Sequence, residues 1–300
     1  LLLATGSVPA KLSVPGAALP GVMGFRDLAD VDTMLAAARK GGNAVVIGGG
    51  LLGIEAADGL RQRGMNVTLL HRSEVLLNQQ LDPPAAELLR QRLVARGLKL
   101  RLKAETAALL GKKRISAVQL KDGSMIPADL VVMAVGIQPE ITLARAAGLA
   151  CKRGVLVDDT LQTFDPRIYA IGECAEHRGD TVGLVAPAWQ HAEICAVHLA
   201  GLGHRYCRAR PTATRLKVSG IEVFSAGDFS TGPVAENLIY RDPARGIYKR
   251  LIVQDDRLIG LVLVGDIVDG PWYFELMEQR KSLAPLRSTL LFGRPYYGAA

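Results

Sequence analysis

Apolar and polar positions along the first 140 residues switch between helical spacing and short unbroken apolar runs. Asp27 to Lys40 (DLADVDTMLAAARK) has helical spacing with an acid near its start, and Gly41-Gly42 stops it. Ala44 to Ile47 is then a short apolar strand, Gly48 to Gly53 a glycine turn, and Leu51 to Arg63 a helix closed by Gly64. Asn66 to His71 is a second apolar strand, which completes a βαβ unit. Pro84 to Arg96 predicts another helix, ended by Gly97, and Lys99 to Leu102 another strand. Ile115 to Leu120 and Met125 to Ala128 flank Lys121-Asp122-Gly123-Ser124, a strong hairpin signal. Leu130 to Val135 is wholly apolar and suits a parallel strand buried on both faces.

Further on, Val155 to Asp158 and Ile168 to Ile171 are short strands, and Pro187 to Leu199 is a helix stopped by Gly201 and Gly203. The texture then changes. Leu216 to Gly227, Glu236 to Arg241, Ile247 to Val253 and Leu258 to Val264 read as strands, and Pro271 to Lys281 as one helix. Strands followed by a helix point to an additional α+β domain.

Composition narrows the class. The 300 residues are 49% apolar and 22% charged, ordinary globular values that exclude a disordered or fibrous chain. Glycine is plentiful at 32 residues and aromatics are sparse at 5%, as α/β folds with tight βα turns require. The net charge of +7 is a mild basic excess, concentrated at Arg90 to Arg114 and Arg205 to Lys217. Neither stretch has the aromatic interleaving of a single-strand binding surface, so no nucleic-acid partner is expected. The four cysteines, Cys151, Cys174, Cys195 and Cys207, form no Cys-x-x-Cys pair and do not resemble a secreted disulfide framework, so the cytoplasm is the expected compartment. No apolar run reaches the ~18–20 residues that span a bilayer, and no membrane association is expected.

The chemistry starts at Gly48-Gly49-Gly50-Leu51-Leu52-Gly53. G-x-G-x-x-G is weak alone, but here it follows a strand, opens a helix and leads to a second strand. Gly48 permits the tight turn, Gly50 lets backbone approach a pyrophosphate, and Gly53 allows close helix–strand packing. The helix N-terminus adds free N–H groups and partial positive charge. A carboxylate at the end of the second strand would hold an NAD ribose, but His71-Arg72 stand there. Either Arg72 pairs with a 2′-phosphate, favouring NADPH, or both side chains are merely exposed, so the cofactor is NAD(P)H.

Three further segments fit one family. Ala4-Thr5-Gly6-Ser7 resembles the Ala-Thr-Gly motif of two-dinucleotide flavoproteins, Val132 to Pro139 their strand returning from the NAD domain, and Tyr169-Ala170-Ile171-Gly172-Glu173-Cys174 their second flavin motif. In order and spacing the set resembles the pyridine nucleotide–disulfide reductase superfamily over residues 1 to 203. Gly172 to Gly179, Gly183 to Pro187, Leu216 to Gly220, Phe224 to Asp228 and Gly265 to Tyr273 resemble more narrowly the flavoprotein portion of assimilatory nitrite reductase large subunits and their electron-transfer relatives.

The resemblance implies an α/β architecture: a Rossmann-like NAD(P)-binding domain (38–137) inserted in a truncated FAD-binding domain (1–37 and 138–203), plus a C-terminal α+β domain (204–300). The opening Leu1 to Gly6 reads as a strand entered part-way, and the first flavin βαβ is expected upstream of it. The implied cofactors are FAD and NAD(P)H, with iron–sulfur and sirohaem centres of the parent protein outside this chain. Thr5, Gly6, Gly136, Gly172 and Glu173 are implied flavin-side residues, Glu173 standing where the superfamily has Asp. Glu55 and Trp189 are implied near the flavin–nicotinamide junction, and Pro187 with Trp189 starts a helix facing the flavin. No residue is implied as an acid–base catalyst.

The implied activity is NAD(P)H-dependent flavin oxidoreduction, passing electrons to downstream redox domains or a subunit for nitrite reduction. The alternatives are a rubredoxin- or ferredoxin-type reductase and a flavin-free NAD(P)-binding module. A homodimer is left open. His191, Cys195 and His198 share one helix face at metal-ligand spacing, but no further ligand is near in sequence, and a packed face is the expectation.

Overall fold

A computed structural model describes residues 1–203, 205–207, 212–218, 220–229 and 235–294. Arg208 and Arg210 of the second basic stretch, and Ser219 of one family-like segment, lie outside the described residues. Along the chain the elements run β1 (Leu2–Leu3), β2 (Ser7–Pro9), β3 (Val22–Gly24), α1 (Leu28–Lys40), β4 (Asn43–Ile47), α2 (Leu51–Gln62) and β5 (Asn66–Leu70). Next come α3 (Pro83–Ala95), β6 (Lys99–Arg101), β7 (Thr106–Leu110), β8 (Ala117–Leu120), β9 (Met125–Pro127), β10 (Leu130–Met133), β11 (Ile137–Pro139) and α4 (Thr142–Ala146). They are followed by β12 (Val155–Val157), β13 (Tyr169–Ala170), β14 (Ala175–His177), β15 (Asp180–Thr181) and α5 (Val185–Leu199). The last are β16 (Ala213–Val218), β17 (Ile221–Gly227), β18 (Glu236–Asp242), β19 (Ile247–Gln254), β20 (Arg257–Val264) and α6 (Gly270–Glu278).

The chain forms two compact units. One comprises Leu1–Ala10 and Gly136–Thr212, the other Lys11–Val135 and Ala213–Ala300. Residues 11–37, expected with the flavin remnant, belong instead to the second unit. The reason is packing: β3 pairs with β10, and Leu12, Val14, Ala17 and Leu19 cover the same sheet.

The centre of the second unit is a five-stranded parallel sheet of order β3-β10-β4-β5-β6. Its apolar runs are long enough to bury both faces, and alternate residues divide between them. Val46, Val132 and Leu69 face α1, α2 and α3. Val45, Ile47, Val131 and Met133 face the antiparallel sheet β7-β8-β9. Each such side chain taken from water contributes ~1.5–3 kcal/mol.

The C-terminal strands make an antiparallel sheet of order β16-β17-β20-β19-β18. The run Leu216–Gly227 is not one strand but a hairpin, β16 and β17, reversing near Gly220 at φ +77°. One face packs on α6 through Phe224, Leu251 and Leu263. The other joins the core of α2 and α3 through Val223, Tyr248, Val262 and Val264. Asp82 locks this union: it caps α3, and its Oδ2 accepts hydrogen bonds from Tyr248 (2.6 Å) and Arg250 (3.0 Å).

The first unit is built from short pairings: β1 with β13 in parallel, β2 with β11 antiparallel, and β12-β14-β15. Its two small cores hold Leu3, Val155 and Cys174, and Tyr169, Ile194 and Cys195.

Candidate cofactor sites

In the second unit the glycine loop leaves the carboxyl end of β4. That end lies between β5, which continues the sheet one way, and β10, which continues it the other. Parallel α/β sheets bind ligands at this kind of switch point. Gly48 has φ +121°, and a Cβ there would lie 2.2 Å from the Ala134 carbonyl oxygen. A Cβ at Gly53 would lie 1.8 Å from the Gly48 oxygen. Both positions therefore admit only glycine. Gly50, the N-cap of α2, faces open space and makes no side-chain cap bond. Asp27 and Asp82 cap α1 and α3 with carboxylates, whereas α2 presents the uncapped N-terminus of a helix that opens with Leu51 and Leu52. A negative group arriving there meets unpaired N–H groups and the positive helix end.

The two residues after β5 differ. Arg72 is exposed. His71 is half-buried and turned into the loop, where its Nδ1 accepts the Gly49 N–H at 3.1 Å. Burial, chiefly, pushes the His71 pKa down and keeps the ring neutral. Glu55, on the second turn of α2, is exposed, yet the protein around it desolvates the carboxyl enough to raise its pKa.

In the first unit β1 and β13 run side by side, so the loops at their carboxyl ends are neighbours. One loop carries Thr5 and Gly6, the other Gly172 and Glu173. Thr5 Oγ1 donates to the Glu140 carbonyl at 2.5 Å, and Glu140 N–H donates to Gly6 O at 2.9 Å. Gly6 (φ +68°) and Gly172 (φ +72°) both take the left-handed conformation. Ser7 Oγ donates to Glu173 Oε2 at 2.6 Å, bridging the two loops. Gly136 also has a positive φ, +119°, and its carbonyl accepts the Ala10 N–H. Sequence reasoning sets Ser7 beside the Ala-Thr-Gly motif without giving it a role and misses Glu140; only strand pairing shows what the two contact.

Helix α5 starts at Val185, two residues before expectation, with Pro187 in its first turn and no side-chain cap. Trp189 is 68% exposed, so its ring is not part of the core. His191 is buried, and its Nδ1 accepts the Gly172 N–H at 3.2 Å, so this histidine positions the Gly172 turn. His198 packs edge-on against Tyr169, and Cys195 is buried in the core. Among the described residues no group of side chains is arranged to hold a metal ion.

Comparison with known proteins fits this geometry. The family described as pyridine nucleotide–disulphide oxidoreductase matches residues 1–192, which contain both glycine-built sites. The chain belongs to this family. The rubredoxin NAD+ reductase C-terminal domain matches residues 212–281, the antiparallel sheet and α6.

A Bacillus subtilis nitrite reductase [NAD(P)H] is 44% identical over 95% of the chain, which spans 35% of that protein. The assimilatory nitrate reductase electron transfer subunit of the same organism is 41% identical over 93% of the chain, or 36% of its own length. The chain thus spans about a third of the length of these two relatives. A ferredoxin reductase from Rhodopseudomonas palustris superposes with TM-score 0.87 at 27% identity, covering 100% of this chain and 75% of that one. The family and these relatives imply binding of FAD and NAD(P)H by an oxidoreductase, and the residues of both sites fit. The glycines leave backbone open where a phosphate chain approaches, and the N-termini of α2 and α5, like those of α4 and α6, lack side-chain caps.

Proposed function

We propose that this chain is the NAD(P)H-oxidising flavin module of a larger electron-transfer enzyme of the assimilatory nitrite reductase type. The observation that carries the reading is the pairing, in one chain, of the Gly48–Gly53 loop with the Gly6 and Gly172–Glu173 loops. Each lies at the carboxyl ends of parallel strands. When bound, FAD supplies the conversion of a two-electron hydride donor into single electrons passed onward.

The chain's own residues bind and orient. Gly48, Gly50 and Gly53, with the α2 terminus at Leu51 and Leu52, hold the nicotinamide nucleotide pyrophosphate. Arg72 is assigned to the 2′-phosphate if the nucleotide is NADPH, and is a plain exposed side chain if it is NADH. Thr5, Gly6, Gly136, Gly172 and Glu173 hold the flavin, with the Glu173 carboxylate as a hydrogen-bond acceptor for its sugar-alcohol chain. The uncapped N-terminus of α5, at Pro187 and Trp189, offers partial positive charge to negative charge on the flavin. Glu55 is assigned to the flavin–nicotinamide junction. No side chain is needed as general acid or base.

The acceptor is a redox domain or subunit beyond this chain, for which iron–sulfur and sirohaem centres are our assignment. Four free cysteines agree with a cytoplasmic, reducing setting. A second reading, a ferredoxin- or rubredoxin-type reductase, is favoured by the C-terminal domain match and the structural neighbour.

The test is optical. Protein titrated with FAD should acquire a flavin spectrum that NADH or NADPH bleaches anaerobically, and the ratio of the two rates reports the role of Arg72. Protein that takes up no FAD and binds neither nucleotide overturns the proposal. Binding of nucleotide without flavin leaves only a binding module.

A further inference from the structure

We propose that His71 is a positioning residue that fixes the glycine loop for nicotinamide nucleotide binding, by accepting the Gly49 amide proton on Nδ1, and does not itself touch the nucleotide. The inference rests on the dinucleotide reading of the loop.

Gly48 and Gly49 are held at three points by the end of β5 and the chain that follows it. Gly48 N–H donates to Leu70 O at 2.9 Å, Gly49 N–H to His71 Nδ1 at 3.1 Å, and Leu77 N–H donates to Gly49 O at 3.0 Å. The loop leans directly on this segment, since a Cβ at Gly49 would lie 2.7 Å from His71 Cγ and 2.6 Å from Leu76 Cδ2. Leu76 and Leu77 are fully buried, so the segment is anchored in the core. His71 is anchored as well: its N–H donates to Arg101 O and its carbonyl accepts from Ala104, both at 2.9 Å. The imidazole is therefore a fixed prop under the peptide just ahead of Gly50.

Tilting that peptide re-aims the N–H groups of Gly50 and the first turn of α2. Of the three points that hold the loop, the imidazole is the one supplied by a side chain. Loss of the prop should therefore weaken nucleotide binding without touching any group that contacts the nucleotide. A neutral hydrogen bond of this kind is worth ~0.5–1.5 kcal/mol, which corresponds to about a two- to tenfold change in Kd.

Asn and Leu variants at position 71 separate the roles. In H71N the side-chain oxygen sits about where Nδ1 sat and still accepts from Gly49; in H71L shape is roughly kept and the acceptor is lost. Kd for NADH and for NADPH is read from nucleotide fluorescence on the full chain. The expected result is wild-type Kd for H71N and a several-fold higher Kd for H71L with both nucleotides. Flavin bleaching at saturating nucleotide should be unchanged in FAD-loaded protein.

Equal Kd for H71L and wild type overturns the proposal, as does H71N binding as weakly as H71L. If H71L does not fold, H71F supplies the variant without an acceptor, under the same two outcomes. A loss confined to NADPH would make His71 a 2′-phosphate contact and also overturn it. Wild-type protein that binds neither nucleotide overturns the dinucleotide reading itself, and this inference with it.

Discussion

Gly50 and Gly53 stand three residues apart, and the structure gives them opposite tolerances. At Gly53 an added methyl meets the Gly48 oxygen at 1.8 Å, so β4 and α2 must separate. G53A should destabilise the protein by ~1–3 kcal/mol and lower the thermal midpoint by several degrees. At Gly50 φ is −83° and nothing lies within reach. G50A should leave the midpoint within about two degrees while weakening nucleotide binding, because its methyl stands where a phosphate would lie against backbone. Scanning calorimetry and nucleotide titration check both. A thermal loss in G50A as large as in G53A would contradict the assignment.

Titration behaves predictably at the same scale. Burial lowers the pKa of His71 and of His191, so both stay neutral in the fold where an unfolded histidine would take a proton. Their contribution is complete above the ordinary histidine value of ~6.5 and declines as pH falls below it. The Asp159 carboxyl is held at about 2, first by the Arg178 hydrogen bond and then by His177. Asp165 is held at about 2 by Arg167. These acids contribute above the ordinary aspartate value of ~4 and lose that contribution as pH falls towards 2. Denaturant midpoints should therefore drop in two stages, one beginning as pH falls below ~6.5 and another below ~4. Replacing His191 with Asn should shrink only the first stage.

Among the elements, the sequence shows many strands as apolar runs, some only two or three residues long, but does not show which strand each pairs with. The β4–α2–β5 unit is legible because two unbroken apolar runs flank a glycine turn and a 12-residue helix. The pairs β1–β13 and β2–β11 are two and three residues long, too short to show alternation. They are set by tertiary pairing, and with them the Ser7 and Glu140 contacts. The strand β7 escaped notice because its TAALL sequence is equally at home in a helix.

Asp82 is the clearest case of a residue whose role the sequence hid, since nothing but its place before Pro83-Pro84 marks it there. Its second oxygen serves Tyr248 and Arg250, so one carboxylate ends α3 and pins β19 to it. Removing it leaves a buried hydroxyl and a nearly buried guanidinium without their partner. D82A should cost ~2–4 kcal/mol. D82N, which keeps a cap and an acceptor but loses the charge, should cost distinctly less. Urea unfolding of the two variants measures the difference, and equal losses would show that the ion pair alone carries the effect.

For the whole molecule, domain boundaries drawn from motifs did not anticipate how the core is shared. The sequence marks the C-terminal strands as an added domain; they form a sheet of their own but belong to the same compact unit as residues 11–135. Strand β20 is buried along nearly its whole length because α6 covers one face while α2 and α3 cover the other. Periodicity registers that a strand is apolar on both sides; it carries no information on which neighbour lies on each. The nucleotide loop therefore springs from a helix whose far side is packed by the last hundred residues. Ending the chain at Thr212 would strip Val223, Tyr248, Val262 and Val264 from that core and leave apolar positions on α2 and α3 in water. Such a truncated chain should aggregate, or run as a broad expanded species in size-exclusion chromatography, and should lose nicotinamide nucleotide binding although every residue of the glycine loop remains. A compact truncated monomer with wild-type Kd would show that the C-terminal sheet is an appendage and that α2 is held by the parallel sheet alone.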